Sequence, residues 1–413
     1  MTGFPPPRNI AVRIASFVNI TSRGPLHVLI FEPRVEGHHV GYLKFVTEDL
    51  LAAGYRLTLA IDARPEPIQR IREQMADLLD RVTIIAVRDD SGRLVGGGKI
   101  NSVATNLMQS GADIVFLNNL DEIGSAMLRR AAIGIMPPAT LRGRLGGIYL
   151  RPRFLGPCGY SPNLWAKALG FRRLLRGGWF SHLLLLDPYL QADFKAREPE
   201  APMFFLPDAY PAGFVADRNA SRRQLGLPAD KRVFLFYGGA YRRKGLHLAV
   251  EAMMALPQST PAFLLCAGQH DRVVARGLRE LVAQNRALVL NRYVSVEEEK
   301  QLFAASDVVL LPYHRHFGSS GVLVRAVGAN LPVIVSDEEL LGRLVREHGL
   351  GPLFPSGNAA ALCQAIGETA RASPAQMSRW QAAAQAWAPN CSREAFRDAL
   401  LNAFAHVSNR PVG

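Results

Sequence analysis

Apolar runs of strand length alternate with helix-length amphipathic segments along almost the whole chain. His-Val-Leu-Ile-Phe at 27–31 is near-continuously apolar, which suits a strand buried on both faces of a parallel sheet. The same pattern in the first half predicts strands over 27–33, 56–62, 82–87, 113–119, 147–151, 182–187 and 203–207. Helices fill the gaps, for example 40–53 and 65–79. Pro, Asp and Gly collect over 206–230, which reads as a linker. Beyond it, strands are predicted at 233–238, 262–267, 287–293, 308–312 and 332–336. Ser295 with Glu298 three residues on has the capping-box pattern of a helix start. Two βα arrays joined by a linker predict an α/β protein of two doubly wound, Rossmann-like domains facing one another, 1–210 and 211–413. The segment 374–406 reads as helical, carries Trp380 and Trp387, and is a candidate to cross back onto the first domain.

A chain of 413 residues is longer than one ordinary core requires, and 48% hydrophobic with 20% charged residues is a globular composition. Cys158, Cys266, Cys363 and Cys391 are scattered without paired spacing, so neither a zinc site nor a disulfide framework is expected. A reduced, cytoplasmic compartment fits best. The start, MTGFPPPRN, lacks a signal-peptide apolar region, and no stretch is long and apolar enough to span a bilayer.

The net charge of +13 is concentrated. No Asp or Glu occurs from Ile123 to Leu186, while Arg129, Arg130, Arg142, Arg144, Arg151, Arg153, Lys167, Arg172, Arg173 and Arg176 do. Such a field attracts nucleic acid, anionic lipid or a phosphorylated substrate. Nucleic acid is the poorest of these, because the cations match no recognition module and the aromatic spacing lacks an RNA-binding sheet signature. Within 161–180, Leu164, Trp165, Leu169, Phe171, Leu174, Leu175, Trp179 and Phe180 are interleaved with four cations. This pattern resembles an interfacial helix, peripheral to the inner face of the plasma membrane; the alternative is a buried domain helix with a solvated basic face.

Ligands of open α/β sheets bind at the carboxyl ends of the strands. Tyr237-Gly238-Gly239-Ala240-Tyr241-Arg242-Arg243-Lys244-Gly245 lies between a predicted strand and helix. Its glycines allow close backbone approach, and its three cations suit a pyrophosphate. Phe317-Gly318-Ser319-Ser320-Gly321-Val322-Leu323 opens another helix, where free N–H groups, the helix dipole and two hydroxyls favour an anion. A solvated basic turn and an ordinary capped helix start are the alternatives.

These loops, with Arg-Tyr-Val-Ser-(x)-Glu-Glu from Arg292, Ala-Ser-Asp-Val-Val-Leu-Leu-Pro ending at Pro312, and Leu-Pro-Val-Ile-Val-Ser-Asp ending at Asp337, form an ordered set. It resembles the C-terminal domain of family-4 glycosyltransferases with the GT-B fold. The likeness covers about 233–356 and is only architectural over the first half. It implies that Lys244 and Arg242 or Arg243 hold a donor diphosphate, with Gly238 and Gly239 in the same loop. It implies further that Gly318, Ser319, Ser320, Gly321 and Val322 contact phosphates and sugar, and that Arg292, Tyr293 and Val294 lie against the nucleobase. Two features depart from the family. Its pair of glutamates eight positions apart, the second holding the ribose hydroxyls, is replaced by Phe317 and Arg325, neither of which accepts a hydroxyl hydrogen bond as a carboxylate does. Its histidine at the end of the fourth strand is replaced by Asn118-Asn119-Leu120-Asp121-Glu122.

On the acceptor side, Gly37, Gly41 and Tyr42 belong to the first loop, with His38 or His39 as a group that binds a sugar or takes a proton. Asn118 and Asn119 are acceptor-binding candidates, and Asp121 or Glu122 a candidate base; surface and capping roles are the alternatives. The resemblance implies a retaining transfer from a nucleotide-sugar to a saccharide or lipid-linked acceptor, with the leaving diphosphate taking the acceptor's proton. Stabilising that diphosphate is then electrostatic work for the cations. No Asp-x-Asp pair occurs, so neither metal nor cofactor is expected and protein cations neutralise the charge. A nucleotide-sugar epimerase and a catalytically silent GT-B binding protein are the competing readings, the second resting on the missing glutamate pair.

Overall fold

The computed structural model describes residues 25–35, 38–157, 159–211, 216–239, 242–270 and 272–408. The first array runs β1 (His27–Glu32), α1 (His38–Ala52), β2 (Arg56–Ile61), α2 (Pro65–Leu79), β3 (Thr83–Ala86), α3 (Lys99–Ser110), β4 (Ile114–Leu117), α4 (Leu120–Ala132), β5 (Leu145–Tyr149), α5 (Pro162–Arg176), β6 (Phe180–Leu185), α6 (Pro188–Arg197) and β7 (Met203–Phe205). The second runs α7 (Arg218–Gln224), β8 (Arg232–Tyr237), α8 (Leu246–Ala255), β9 (Ala262–Ala267), α9 (Ala275–Ala283), β10 (Ala287–Leu290), α10 (Val296–Ala305), β11 (Val308–Leu311), α11 (Gly321–Gly328), β12 (Val333–Ser336), α12 (Glu339–His348), β13 (Leu353–Phe354), α13 (Ala359–Ala370), α14 (Pro374–Trp387) and α15 (Arg393–Ser408).

Both sheets are parallel, in the orders β3-β2-β1-β4-β5-β6-β7 and β10-β9-β8-β11-β12-β13. The strand order reverses beside β1 in one sheet and beside β8 in the other. Chains leave neighbouring strands in opposite directions there and open a crevice at the carboxyl ends. The crevices lie at Glu32 and Asn118 in the first sheet and at Tyr237 and Pro312 in the second. Continuous apolar runs became buried strands as expected: every residue of β1, β6 and β9 is buried.

Most predicted strands end one to three residues early, and for three of them the cause is visible. The 147–151 strand is β5, Leu145–Tyr149, because the Leu150 and Arg151 N–H groups donate to the Asp121 carboxylate instead of the ladder. The 182–187 strand is β6, since Asp187 turns to cap α6. The 287–293 strand stops at Leu290, and the Ser295 capping box starts α10. The 206–230 linker contains a short helix, α7, capped by Asp217.

The terminal segment is two helices. Pro389 lacks the N–H a helix interior needs, and a 3-10 turn over Ala388–Cys391 separates α14 from α15. Helix α14 stays with the second sheet through Met377, Ala384 and the flanking Trp380 and Trp387. Helix α15 packs Phe396, Leu400, Ala403 and Phe404 into the core beneath β1, β4 and β6. The Phe404 ring lies 4.5 Å from the His182 ring and 5.3 Å from Phe116. Arg393 clamps both Asp49 carboxylate oxygens at 2.7 and 2.8 Å and lies 4.3 Å over Phe45. Truncating Phe404 to Ala leaves a hole in the first domain's core, and urea denaturation of F404A should show a loss of about 3–5 kcal/mol.

Candidate active site

The loop after β8 is built around two glycines. Gly245 has φ +72°, and a Cβ there would lie 1.8 Å from the Pro312 carbonyl oxygen. This contact sets the start of α8 flush against the end of β11. A Cβ on Gly238 would lie 3.0 Å from Lys244 Nζ, so the lysine folds back over the loop. Ala240 and Tyr241 lie outside the described residues. Arg242 is exposed; Arg243 and Lys244 are half-buried. Arg243 Nη1 donates to His316 Nδ1 at 3.1 Å, and His316 Nε2 donates to the Ser319 carbonyl at 3.1 Å. Burial and the neighbouring cations push His316 down to about 4, so its ring is neutral at pH 7.

Lys244 is pushed down to about 8, first by burial and then by Arg243, Arg325 and Arg151. Arg151 comes from the loop after β5 in the other domain, and burial and Arg243 lower its pKa too. The basic block thus contributes a cation to the site that the sequence reading did not assign.

The glycine-rich turn meets the first domain directly. Gly318 has φ +106°, and a Cβ there would lie 2.7 Å from the Leu150 carbonyl oxygen. Phe317, at the first glutamate position, lies 5.6 Å from the Arg153 guanidinium. Both serine hydroxyls, expected to face an anion, are engaged within the protein. Ser319 donates to Asp208 Oδ2 at 2.7 Å. Ser320 is the N-cap of α11 and accepts from the Val322 and Leu323 N–H groups. Val322 is buried in the core. With both hydroxyls engaged, the group left here to offer an anion is the backbone around Gly321, at the N-terminus of an eight-residue helix.

Arg325 projects from α11, where its Nη1 donates to the Gly321 carbonyl at 2.9 Å and its Nε to Glu299. Burial pulls the guanidinium's pKa down, and Glu299 outweighs this and holds it above the ordinary arginine value. Tyr237, at the end of β8, donates to Glu299 Oε2 at 2.5 Å.

Of the three residues expected against a nucleobase, two are otherwise engaged. Arg292 is paired with Glu298 at 2.5 Å, and Val294 is buried in the core. Tyr293 is 79% exposed.

In the first domain the structure reveals a buried hub that the sequence reading did not single out, Glu32. Its Oε2 lies 2.9 Å from His39 Nδ1 and 2.8 Å from Asn118 Nδ2, and its Oε1 accepts the Arg34 N–H at 3.0 Å. Asn118 also donates to the His39 carbonyl at 3.1 Å. The signal was one carboxylate closing an otherwise apolar strand. Gly37 and the His38 side chain lie outside the described residues; Gly41 lies within α1. The Tyr42 hydroxyl donates to Asp208 Oδ1 at 2.7 Å, so its tip serves the linker. Asn119 is the N-cap of α4. Asp121 and Glu122 are poor candidates for a base. Asp121 accepts the Leu150 and Arg151 N–H groups, and Glu122 pairs with Arg34 and Lys99 at 2.8 and 3.0 Å.

The segment 161–180 also divides. Phe171, Leu174, Trp179 and Phe180 are core residues and Leu164 and Leu175 pack against that core, so six of the eight supposed interfacial apolar residues face inward. Trp165 and Leu169 are 59% and 47% exposed, beside exposed Arg172, Arg173 and Arg176.

Residues 217–387 match the family model described as glycosyl transferases group 1. Among curated relatives, an uncharacterized glycosyltransferase of Methanocaldococcus jannaschii is 30% identical over 117 residues, 28% of this chain and 30% of that protein. The lipopolysaccharide glucosyltransferase WaaG of Escherichia coli is 25% identical over 175 residues, 40% of this chain and 46% of that protein. The chain therefore matches less than half the length of these relatives. Two solved structures share the whole architecture. Anabaena HepE in complex with UDP has a TM-score of 0.67 at 16% identity, covering 92% of this chain and 100% of that one. WaaG has a TM-score of 0.66 at 17% identity, covering 93% and 100%. With two parallel Rossmann-like sheets, the chain has the GT-B fold of these structures, and its residues 217–387 are similar to the glycosyl transferases of group 1.

Proposed function

We propose that this chain is a glycosyltransferase that moves a sugar from a nucleoside-diphosphate sugar to a saccharide or lipid-linked acceptor, in the synthesis of a cell-surface polysaccharide or glycoconjugate. One observation carries the reading. Arg243, Arg325 and Arg151 all act on Lys244 beside the α11 N-terminus, and burial first, then their repulsion, holds it down at about 8. Such a cluster is unfavourable alone and favourable around a multivalent anion. The likeness to HepE, whose structure is in complex with UDP, supports a nucleotide donor.

In this reading the diphosphate sits between Lys244 and the Gly321 backbone, with the sugar toward Glu32, His39 and Asn118. The bond from the anomeric carbon to the diphosphate oxygen breaks as the acceptor oxygen bonds to the same face. The acceptor's proton passes to the departing diphosphate oxygen, which the cations stabilise. No metal ion is required, because side-chain cations carry the neutralising charge. Glu32 holds the His39 ring at the cleft end of α1, where it can orient the acceptor or the sugar.

Trp165 and Leu169, with Arg172 and Arg176, form the exposed apolar-basic edge of α5, which suits shallow contact with anionic lipid. No helix among the described residues is long and apolar enough to cross a membrane. Any membrane contact is therefore peripheral in this reading, with the catalytic cleft on the cytoplasmic side.

Lys244→Ala should weaken nucleoside-diphosphate binding by about tenfold or more in calorimetry while leaving the melting temperature nearly unchanged. Equal affinity would sink the diphosphate assignment. The wild-type affinity should also depend on pH. Lys244 binds an anion as the ammonium, which in the free protein is lost as pH rises through about 8. Affinity should fall about tenfold from pH 7 to pH 9, with proton uptake on binding, and Lys244→Ala should remove this fall. Replacing Trp165 and Leu169 together with Ala should abolish cosedimentation with anionic vesicles and leave nucleotide affinity intact; unchanged sedimentation rejects the membrane edge.

A further inference from the structure

The chain passes between the domains twice, through the linker and through the turn over Ala388–Cys391, and the Tyr210 N–H ties the two passages by donating to the Cys391 carbonyl at 3.2 Å. Beside them lies a cavity of about 320 Å³ that does not include the cations of the donor site. Leu186, Tyr189 and Phe205 of the first domain form one wall, and Leu323, Leu344 and Trp387 of the second form the other. Volume and lining are those of a small-molecule pocket.

The two ends of the cavity differ. At the glycine-rich turn it is lined by buried Ser320 and half-buried Asp208 and Ser319, whereas Glu347, His348 and Asn390 are exposed and so mark its mouth. The inner polar side chains are engaged within the protein. Asp208 accepts from Tyr42 with one oxygen and from Ser319 with the other, and Ser320 caps α11. A polar group brought to this end loses water and gains little in return. An apolar group there restores the contacts that an apolar void lacks. At the mouth the Trp387 ring stacks on the His348 ring at 5.2 Å, the Tyr189 hydroxyl donates to Glu347, and the Arg343 guanidinium lies 3.5 Å from the Tyr189 ring. Apolar depth behind a polar mouth matches the chain and head of an amphiphile. Walls on both domains leave no open face for a protein partner.

We propose that this hinge pocket binds the hydrocarbon chain of a single-chain amphiphile, with its head at His348 and Asn390, and that its occupancy is coupled to nucleotide binding. The coupling rests on the donor reading above; the binding does not. An occupant that touches both domains and the turn carrying Ser319 binds best to one domain arrangement, and it favours that arrangement by its difference in affinity. The arrangement with the cavity formed is the one that gathers Arg151 of the first domain with Lys244 of the second. Chain and nucleotide therefore strengthen one another, each by the same factor.

The test is calorimetry on the full chain with 1-hexanol and 1-octanol below their solubility limits, neutral probes that the cations do not attract. Binding should saturate at one site and tighten about fourfold for each added methylene. 1,6-Hexanediol, which must bury a hydroxyl, should bind more weakly than 1-hexanol. Leu344→Trp fills the cavity and should abolish saturable octanol binding. Should that variant melt early, His348→Trp at the exposed mouth obstructs entry and should weaken it. Octanol should raise the affinity for whichever of UDP, GDP or ADP binds best by about fivefold, and that nucleotide should raise octanol affinity equally. Non-saturable uptake by the wild type, or unchanged octanol affinity in the folded variants, overturns the site. Saturable octanol binding that leaves nucleotide affinity unchanged overturns the coupling. Octanol binding in a chain that binds none of the nucleotides overturns the donor reading, and the coupling with it, while the pocket assignment stands.

Discussion

Burial of Lys244 beside three other cations, at the meeting of two sheets, is the constraint on which the candidate site depends. Arg243 and Lys244 come from the loop after β8, Arg325 from α11, and Arg151 from the other domain. Like charges brought together in a partly desolvated cleft disfavour the charged forms, and Lys244 carries the consequence. The protein limits the repulsion in particular ways. Glu299 is set against Arg325. His316 stays neutral and links Arg243 to the glycine-rich turn. Asp121 ties down the backbone of Arg151. The remainder is left for a ligand to satisfy.

Asp208 does for position what the cations do for charge. One carboxylate oxygen accepts from Tyr42 on α1 and the other from Ser319 in the glycine-rich turn. The linker therefore holds the first domain's leading helix and the second domain's glycine-rich turn from a single residue. Gly318 allows the turn to approach the Leu150 carbonyl closely, which a side chain would prevent. Helix α15 returns to the first domain and buries two phenylalanines there. Three connections along the chain thus fix how the two crevices meet.

The basic block of the first domain serves two surfaces. Arg151 reaches the cleft, whereas Arg172 and Arg176 stay on the outer face of α5. Net charge alone does not separate these roles, since a cation's effect depends on whether nearby carboxylates and solvent screen it.

Strand and helix identity, the two parallel sheets and the glycine-bearing loops were legible in the sequence, because they rest on periodicity and on turn chemistry between neighbours along the chain. The capping box at Ser295 formed as its two residues imply. Strand ends were less legible, since the end of β5 depends on Asp121, a residue about thirty positions away along the chain. The site showed the same division. Lys244, Arg243 and the glycines stood out because they are contiguous. Glu32, Glu299, His316, Asp208 and Arg151 did not, because each acquires its role from partners brought close by folding. Sequence by itself determined which segments could present N–H groups and cations to an anion. Tertiary structure alone decided that Ser319 and Ser320 are engaged within the protein, that Arg325 has a carboxylate partner, and that the pKa of Lys244 is lowered, because burial and charge-charge distance exist only once the chain has folded.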